Sequence, residues 1–333
     1  MKDIVSALNK EKQLHPKAEY QDHIKLIYQA CFGPGHMIQD EAKSLYHLQQ
    51  EKLLAKDYET PQDIGGDYVR VPLSFMIQKD LSLWNHLFVR SAANAIAQEE
   101  LFREMMDVIS IEPISMENLK QGVHHSESYR TLYDPHYRVI KKSYVDYFPV
   151  IAYIYEIMQE QSSSCFAIDG RCASGKSTLA SILKELFSFP VFHMDDYFLT
   201  PDLRTESRLK KPGGNVDDER FYREILLPMS QKKDIRYRPY DCKEEHLMPV
   251  ICVPYQPYTV MEGSYAHHPH FNEIKRNRIF LTCDYSCQLQ RLQKRSPFLY
   301  DRFVKEWIPM EEQYFQTFAI EEHSDMVFDT TPL

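Results

Sequence analysis

Over the first 150 residues, apolar positions recur every three or four residues, the mark of one-sided helices. The spacing predicts helices over residues 21–31, 39–55, 81–98, 100–109 and 141–161, with Ile24, Ile27 and Cys31 forming one such face. Gly33-Pro34-Gly35 and Gly65-Gly66 interrupt the pattern and read as breaks. After the polar joint Gln161-Ser162-Ser163-Ser164 the period changes. Short apolar runs at 165–168, 190–193, 259–261, 278–283 and 325–329 read as buried strands. Helical stretches alternate with them, over 176–187 and from the acids at 217–219 to about Ser230. Two further short strands, 235–239 and 250–254, flank a polar and aromatic insertion from Tyr240 to His246. Strand–helix alternation with short links predicts an α/β fold with a five-stranded, doubly wound parallel sheet. The expected organisation is a mainly α-helical domain over 1–160, followed by this sheet domain over 161–333.

Composition changes little in that picture. The 333 residues are long enough for two domains, and 43% hydrophobic with 26% charged residues is ordinary for a globular protein. A net charge of −9 argues against a nucleic-acid backbone as partner. No apolar run is long enough to span a bilayer, and Met1-Lys2-Asp3-Ile4-Val5-Ser6 lacks the apolar core of a secretory signal. The seven cysteines show no metal-type spacing and fit reduced thiols, so a cytoplasmic protein is expected.

The strongest chemical signal is Gly170-Arg171-Cys172-Ala173-Ser174-Gly175-Lys176-Ser177, with Thr178 following, placed between a strand and a helix. This is the phosphate-binding (Walker A) pattern in the setting it requires. Gly170 and Gly175 free the backbone so that successive N–H groups turn toward one anion, and the helix N-terminus adds more. Lys176 is suited to the β- and γ-phosphates of ATP, and the Ser177 hydroxyl to Mg²⁺. No Asn-Lys-x-Asp guanine pattern occurs, which favours ATP over GTP. Cys172 lies inside the loop, where amides and the helix dipole could acidify its thiol; an inert small residue is the simpler reading.

Acids follow at strand ends. Asp195 and Asp196 come directly after the second strand, where a carboxylate faces the same crevice as the phosphates. One could accept a proton from an attacking hydroxyl or hold metal, and a helix-cap or turn role is the alternative. Glu262 ends the third strand, in a position to orient a Mg²⁺ water. Arg291, Lys294 and Arg295 lie on the helix after the fourth strand, for which Asp284 is a candidate N-cap, and suit either a charge-neutralising lid or a solvated face. In the first half, a metal site of His23, His36 and Asp40 is conceivable, but the spacing matches no known ligand pattern. Arg70 and Arg90 are candidates for a regulatory anion, against the commoner paired or solvated role.

Taken in order, the loop Gly170–Ser177, Met194-Asp195-Asp196-Tyr197-Phe198, Pro239-Tyr240-Asp241, Glu262-Gly263 and the segment from Arg291 to Arg295 resemble the uridine kinase/phosphoribulokinase family. The resemblance covers about residues 164–330 and leaves the helical half unassigned. It implies a P-loop kinase fold and transfer of the ATP γ-phosphate to a hydroxyl of a small metabolite. It implies that Asp195 accepts the proton, with Asp196 as the neighbouring candidate on the substrate side. Tyr240 and His246 would hold a nucleoside base, and Arg291 and Arg295 would be lid arginines. Asp195, Ser177 and Glu262 would serve the metal. Two departures stand out. The 240–246 segment is one residue longer than in uridine kinases, and 193–200 is equally similar to relatives acting on nicotinamide riboside. Fold and reaction type therefore transfer better than the acceptor, for which a uridine-type nucleoside is the first expectation. Nicotinamide riboside, pantothenate, a sugar phosphate, or a nucleotide sensor without transfer are the alternatives.

Overall fold

The computed structural model describes residues 1–34, 40–55, 60–109 and 123–333. Contacts divide the chain into two compact units, Met1–Ala152 and Tyr153–Leu333.

The first unit is mainly helical. Its helices include α1 (Lys2–Leu14), α2 (Tyr20–Phe32), α3 (Glu41–Lys52), α4 (Leu81–Ala93) and α5 (Glu99–Val108). Each lies on or beside an expected helix except α1. Gly35 and Gln39, at the edges of two expected features, fall outside the described residues. The unit also holds an antiparallel sheet that the periodicity did not suggest, with β1 (Gln62–Gly65), β2 (Tyr68–Pro72) and β3 (Tyr137–Lys141) in that order. Gly65-Gly66 is therefore a hairpin turn rather than a plain break. Gly66 and Asp67 both have positive φ, 61° and 67°, the twist that joins antiparallel strands through two residues. The expected helix over 141–161 is divided: β3 ends at Lys141, a short helix covers Lys142–Asp146, and a second runs Phe148–Glu160. Pro149 sits in the first turn of the latter, where its missing N–H costs nothing. Ile4, Leu26, Ile27, Phe102 and Met105 make the core of this unit.

In the second unit, β4 (Ser164–Gly170) leads into the helix Lys176–Phe187, then β5 (Val191–His193). A hairpin region follows, β6 (Ile235–Tyr237), β7 (Tyr240–Asp241), β8 (His246–Leu247) and β9 (Ile251–Val253). Then come β10 (Tyr258–Glu262), β11 (Asn277–Thr282) and β12 (Met326–Asp329). The main sheet has the order β12-β11-β4-β10-β5, and every pair in it is parallel. The first strand thus lies at the centre, and the chain winds outward on both sides. With a phosphate loop at the end of the central strand, this is the P-loop kinase fold. Phe192, Ala167, Met261 and Phe280 point into one core with Tyr314 and Phe315 of the helix Ile308–Phe318. Register aligns the strand ends: Glu262 pairs with Ile168 and with His193, and Leu281 with Gly170. Functional side chains at these ends are therefore neighbours.

Candidate active site

The loop after β4 is shaped by contacts that only glycine permits. Gly170 has φ +136°, and a Cβ there would lie 2.0 Å from the Leu281 carbonyl oxygen of β11. Gly175, at φ +94°, precedes the first helical residue, Lys176. Behind the loop, Asp169 is fully buried and accepts from the N–H groups of Gly170, Tyr265 and His267 and from the Tyr314 hydroxyl. The Lys176 amine folds onto the carbonyls of Gly170 and Arg171, at 2.6 and 2.9 Å. It is thereby held inside the loop it would serve. Ser177 and Thr178 are exposed at the start of the helix, whose first N–H groups have no intrahelical acceptor.

Distant segments tie the loop from outside. Arg171 turns away from the crevice to Glu312, Glu321 and Thr282, at 2.8, 3.1 and 2.7 Å. The Cys172 N–H donates to buried Glu311, and Gln288 donates to the Cys172 carbonyl. Thr330 donates to the Ser174 carbonyl. Arg291 belongs to this scaffold: its guanidinium donates to the carbonyl of Ala173 and to the hydroxyl and carbonyl of Thr330. Among the described residues, the hydrogen bonds of Arg291 all go to protein oxygens. Burial and the Glu311 charge push the Cys172 thiol up from its usual range, opposite to the acidification a reactive loop cysteine needs.

Across the crevice, Ser177 Oγ lies 3.3 and 3.4 Å from the two oxygens of Glu262, which is nearly buried. His193, a residue the sequence reading passed over, places Nδ1 2.5 Å from Glu262. That hydrogen bond raises the imidazole above its ordinary value. Asp195 retains contact with water, yet lost hydration and the charge of Glu262 raise its carboxyl, with Lys176, His193 and Arg295 opposing. Asp196 is also raised, chiefly by lost hydration, and His193 and Arg220 oppose this. Of the two acids, Asp195 alone feels Lys176 and Arg295 among its main neighbours; Asp196 is tethered by Arg220, which donates to its carbonyl. Arg295, stacked over Phe303 at 5.7 Å, lies near enough to Asp195 for its charge to oppose that rise.

The hairpin contributes in part. Tyr240 is buried, and its hydroxyl accepts from Arg204. His246 is exposed, and its ring nitrogen meets only the Glu244 carbonyl, at 3.4 Å, among the contacts described. Cys242 and Tyr237 lie near enough to Asp196 to feel its charge, so this face of the hairpin overlooks the acids. The Asp284 side chain, at the N-cap of the helix Tyr285–Arg295, makes no capping bond.

Among the described residues, no group of three or more His, Cys, Asp or Glu side chains is arranged to hold a metal ion. A carboxylate and a hydroxyl beside a phosphate loop are nonetheless what Mg²⁺ needs from a protein, since phosphates and water fill the rest of its octahedron. In the first unit, Asp40 caps α3 through the Lys43 N–H, His23 is half-buried, and His36 lies outside the described residues. No helix among the described residues is long and apolar enough to cross a membrane.

No family model and no curated protein matches the sequence. Solved structures do. A possible uridine kinase from Bacillus stearothermophilus is 18% identical, with 55% of this chain and 98% of that one covered and a TM-score of 0.41. A proposed fructose transport system kinase from a Silicibacter species is 19% identical, with 53% and 97% covered and a TM-score of 0.39. A shikimate kinase from Bacteroides thetaiotaomicron is 14% identical, with 50% and 86% covered and a TM-score of 0.26.

Proposed function

We propose that the chain is an ATP- and Mg²⁺-dependent kinase that transfers the γ-phosphoryl group to a hydroxyl of a small metabolite, with a nucleoside such as uridine as first candidate. The observation that carries this reading is the meeting of three groups at one sheet edge: the Lys176 loop, the Ser177–Glu262 pair and Asp195. Phosphoryl transfer asks for positioning and charge stabilisation more than covalent chemistry. The loop from Gly170 to Thr178 and Lys176 hold the phosphates. Ser177 and Glu262 hold Mg²⁺, with Asp195 close by; the ion neutralises phosphate charge when bound. Asp195 takes the proton of the attacking hydroxyl, and its raised carboxyl makes it a better base than an ordinary aspartate. Arg295 offsets charge on the moving group. Asp196, Tyr240 and His246 line the acceptor side, His246 through closure of the exposed hairpin tip.

One observation bears on the acceptor. Arg204, Arg208, Arg220 and Arg238, all around the hairpin and the loop before it, commit their guanidinium groups to protein oxygens. The ordered arginines of this region are thus spent on the protein itself, which leaves phosphate on the acceptor to exposed cations such as Arg236 and Lys243 and makes an uncharged acceptor the first to test. The test is ADP release from ATP and Mg²⁺ with uridine, cytidine, nicotinamide riboside, pantothenate and ribulose 5-phosphate. Turnover with uridine or cytidine supports the nucleoside reading. Turnover with another compound keeps the reaction and replaces the acceptor. Tight ATP binding without stimulation by any of them refutes the kinase reading for these acceptor classes.

A further inference from the structure

The first unit carries ionised groups in its interior, and well-packed apolar residues in such places are often as stable or more so. Arg70 of β2 is 2% exposed. Its Nη1 donates to Glu11 at 3.1 Å and its Nε to Gln29 at 2.9 Å, and its guanidinium lies 4.9 Å over the Tyr137 ring. Its Nη2 is buried and has no hydrogen-bond partner. A buried donor of a charged group left in this state calls for an acceptor that the chain does not supply.

The nearby acceptors are already occupied. Glu11 also accepts from Tyr129 and Gln62 and lies 3.3 Å from His15. Asp22 accepts from the N–H groups of Glu19 and Ser126 and the Ser126 hydroxyl, and lies 2.8 Å from His125 Nδ1. The other nitrogen of His125 is 2.7 Å from the Tyr137 hydroxyl. Asp22, Lys25 and Gln29 are three and four residues apart on α2 and so share a face. Lys25 is half-buried, and no hydrogen bond or ion pair to its amine occurs among the described residues. Lost hydration and the positive charges of Arg70 and Arg130 bring it down to about 8, with only Asp22 opposing. Arg130 is exposed at the outer side.

We infer that this unit binds a small oxyanion, the carboxylate or phosphoryl group of a metabolite, between the Lys25 amine and Arg70 Nη2, with Arg130 toward solvent. The Nη2 of an arginine almost wholly buried, and a lysine amine without a hydrogen bond among the described residues, are two charged donors left for an acceptor from outside, although Glu11 already pairs with Nη1. Glu11 and Asp22 hold the arginine and the histidine in place and offset part of the positive charge, while Arg70 Nη2 keeps no acceptor. The anion therefore completes a prepared arrangement rather than creating one, which lowers the ordering cost of binding.

The test uses the full chain with Lys176→Ala, so that the phosphate loop is weakened as a competing site. Calorimetric titration with inorganic phosphate and, separately, with succinate measures anion binding before and after Lys25→Gln. The expected result is binding of at least one probe, weakened about tenfold or more by Lys25→Gln, as the loss of a charge-assisted bond implies. Phosphate alone as the effective probe identifies a phosphoryl ligand, and succinate alone a carboxylate; both support the site. Affinity unchanged by Lys25→Gln for both probes, or no binding of either, overturns it. Lys25 is chosen because Arg70→Gln would leave Glu11 charged and buried, and a folding failure there would say nothing about anions.

Discussion

Glu311 offers a sharp test of what holds the phosphate loop in shape. It is 6% exposed, and its oxygens accept from the Ser264 hydroxyl at 2.5 Å and the Cys172 N–H at 2.9 Å, with the Cys172 thiol beside them. Glu311→Leu removes both acceptors. A buried N–H left unpaired costs about 1–3 kcal/mol, and the lost hydroxyl bond adds about 1 kcal/mol, so the variant should lose about 2–4 kcal/mol. Glu311→Gln has nearly the same shape, keeps a carbonyl oxygen for Cys172, and offers its amide to the rotatable Ser264 hydroxyl. It should stay within about 1 kcal/mol of the parent. Burial also raises the Glu311 carboxyl above its usual 4.5. The folded state then binds this proton more tightly than the unfolded one, so stability falls as pH rises from the ordinary glutamate value through the raised one. That slope should disappear in Glu311→Gln. The assay is urea denaturation, followed by hydrogen exchange in the peptide 165–180, which isolates the second unit. With a urea slope of about 2 kcal/mol per M, Glu311→Leu should shift the midpoint down by about 1–2 M. If the two variants lose the same stability, charge rather than hydrogen bonding holds the loop. If Glu311→Leu is neutral, the tie contributes nothing.

Three further outcomes are expected. Asp195→Asn should lower turnover about 10²- to 10⁴-fold with ATP affinity largely kept. The parent should lose activity as pH falls through a carboxyl raised above 3.8, and an acid limb at or below that value would remove Asp195 as the base. Gly170→Ala puts its Cβ 2.0 Å from Leu281 O, so β4 and β11 must separate at the loop; nucleotide binding should vanish, and calorimetry showing normal ATP affinity would contradict the geometry. In the native protein, iodoacetamide should label exposed Cys252 and spare Cys172, as read by peptide mass spectrometry. Rapid modification of Cys172 would show that the loop opens far more than its ties allow.

What the sequence made legible was local. The loop pattern and the strand ends carrying Asp195 and Glu262 declare themselves within a few residues, and all five strands of the main sheet lie where short apolar runs place them. The small sheet of the first unit escaped because its hairpin signal is conformational: Gly66-Asp67 with positive φ at both residues looks, on hydropathy, like any break. A glycine pair followed by Asp between Ile64 and Tyr68-Val69 was the available clue. The hydrogen bonds of Arg291 escaped for another reason. A basic helix position says nothing about carbonyls 118 residues earlier and 39 residues later that take its hydrogen bonds. His193 was visible at a strand end, but its value comes from register with Glu262 on a neighbouring strand.

The ties on the phosphate loop also set an order of events in biosynthesis. Residues 170–177 leave the ribosome well before their partners, and the bond from Thr330 to Ser174 spans 156 positions. At bacterial or eukaryotic elongation rates of 5–20 residues per second, that interval is roughly 8–30 s. Throughout it the nascent chain carries the glycine-rich loop without the contacts that fix its form. The fixed form of the loop is in this sense a late event, which waits for synthesis of the segment around Thr330.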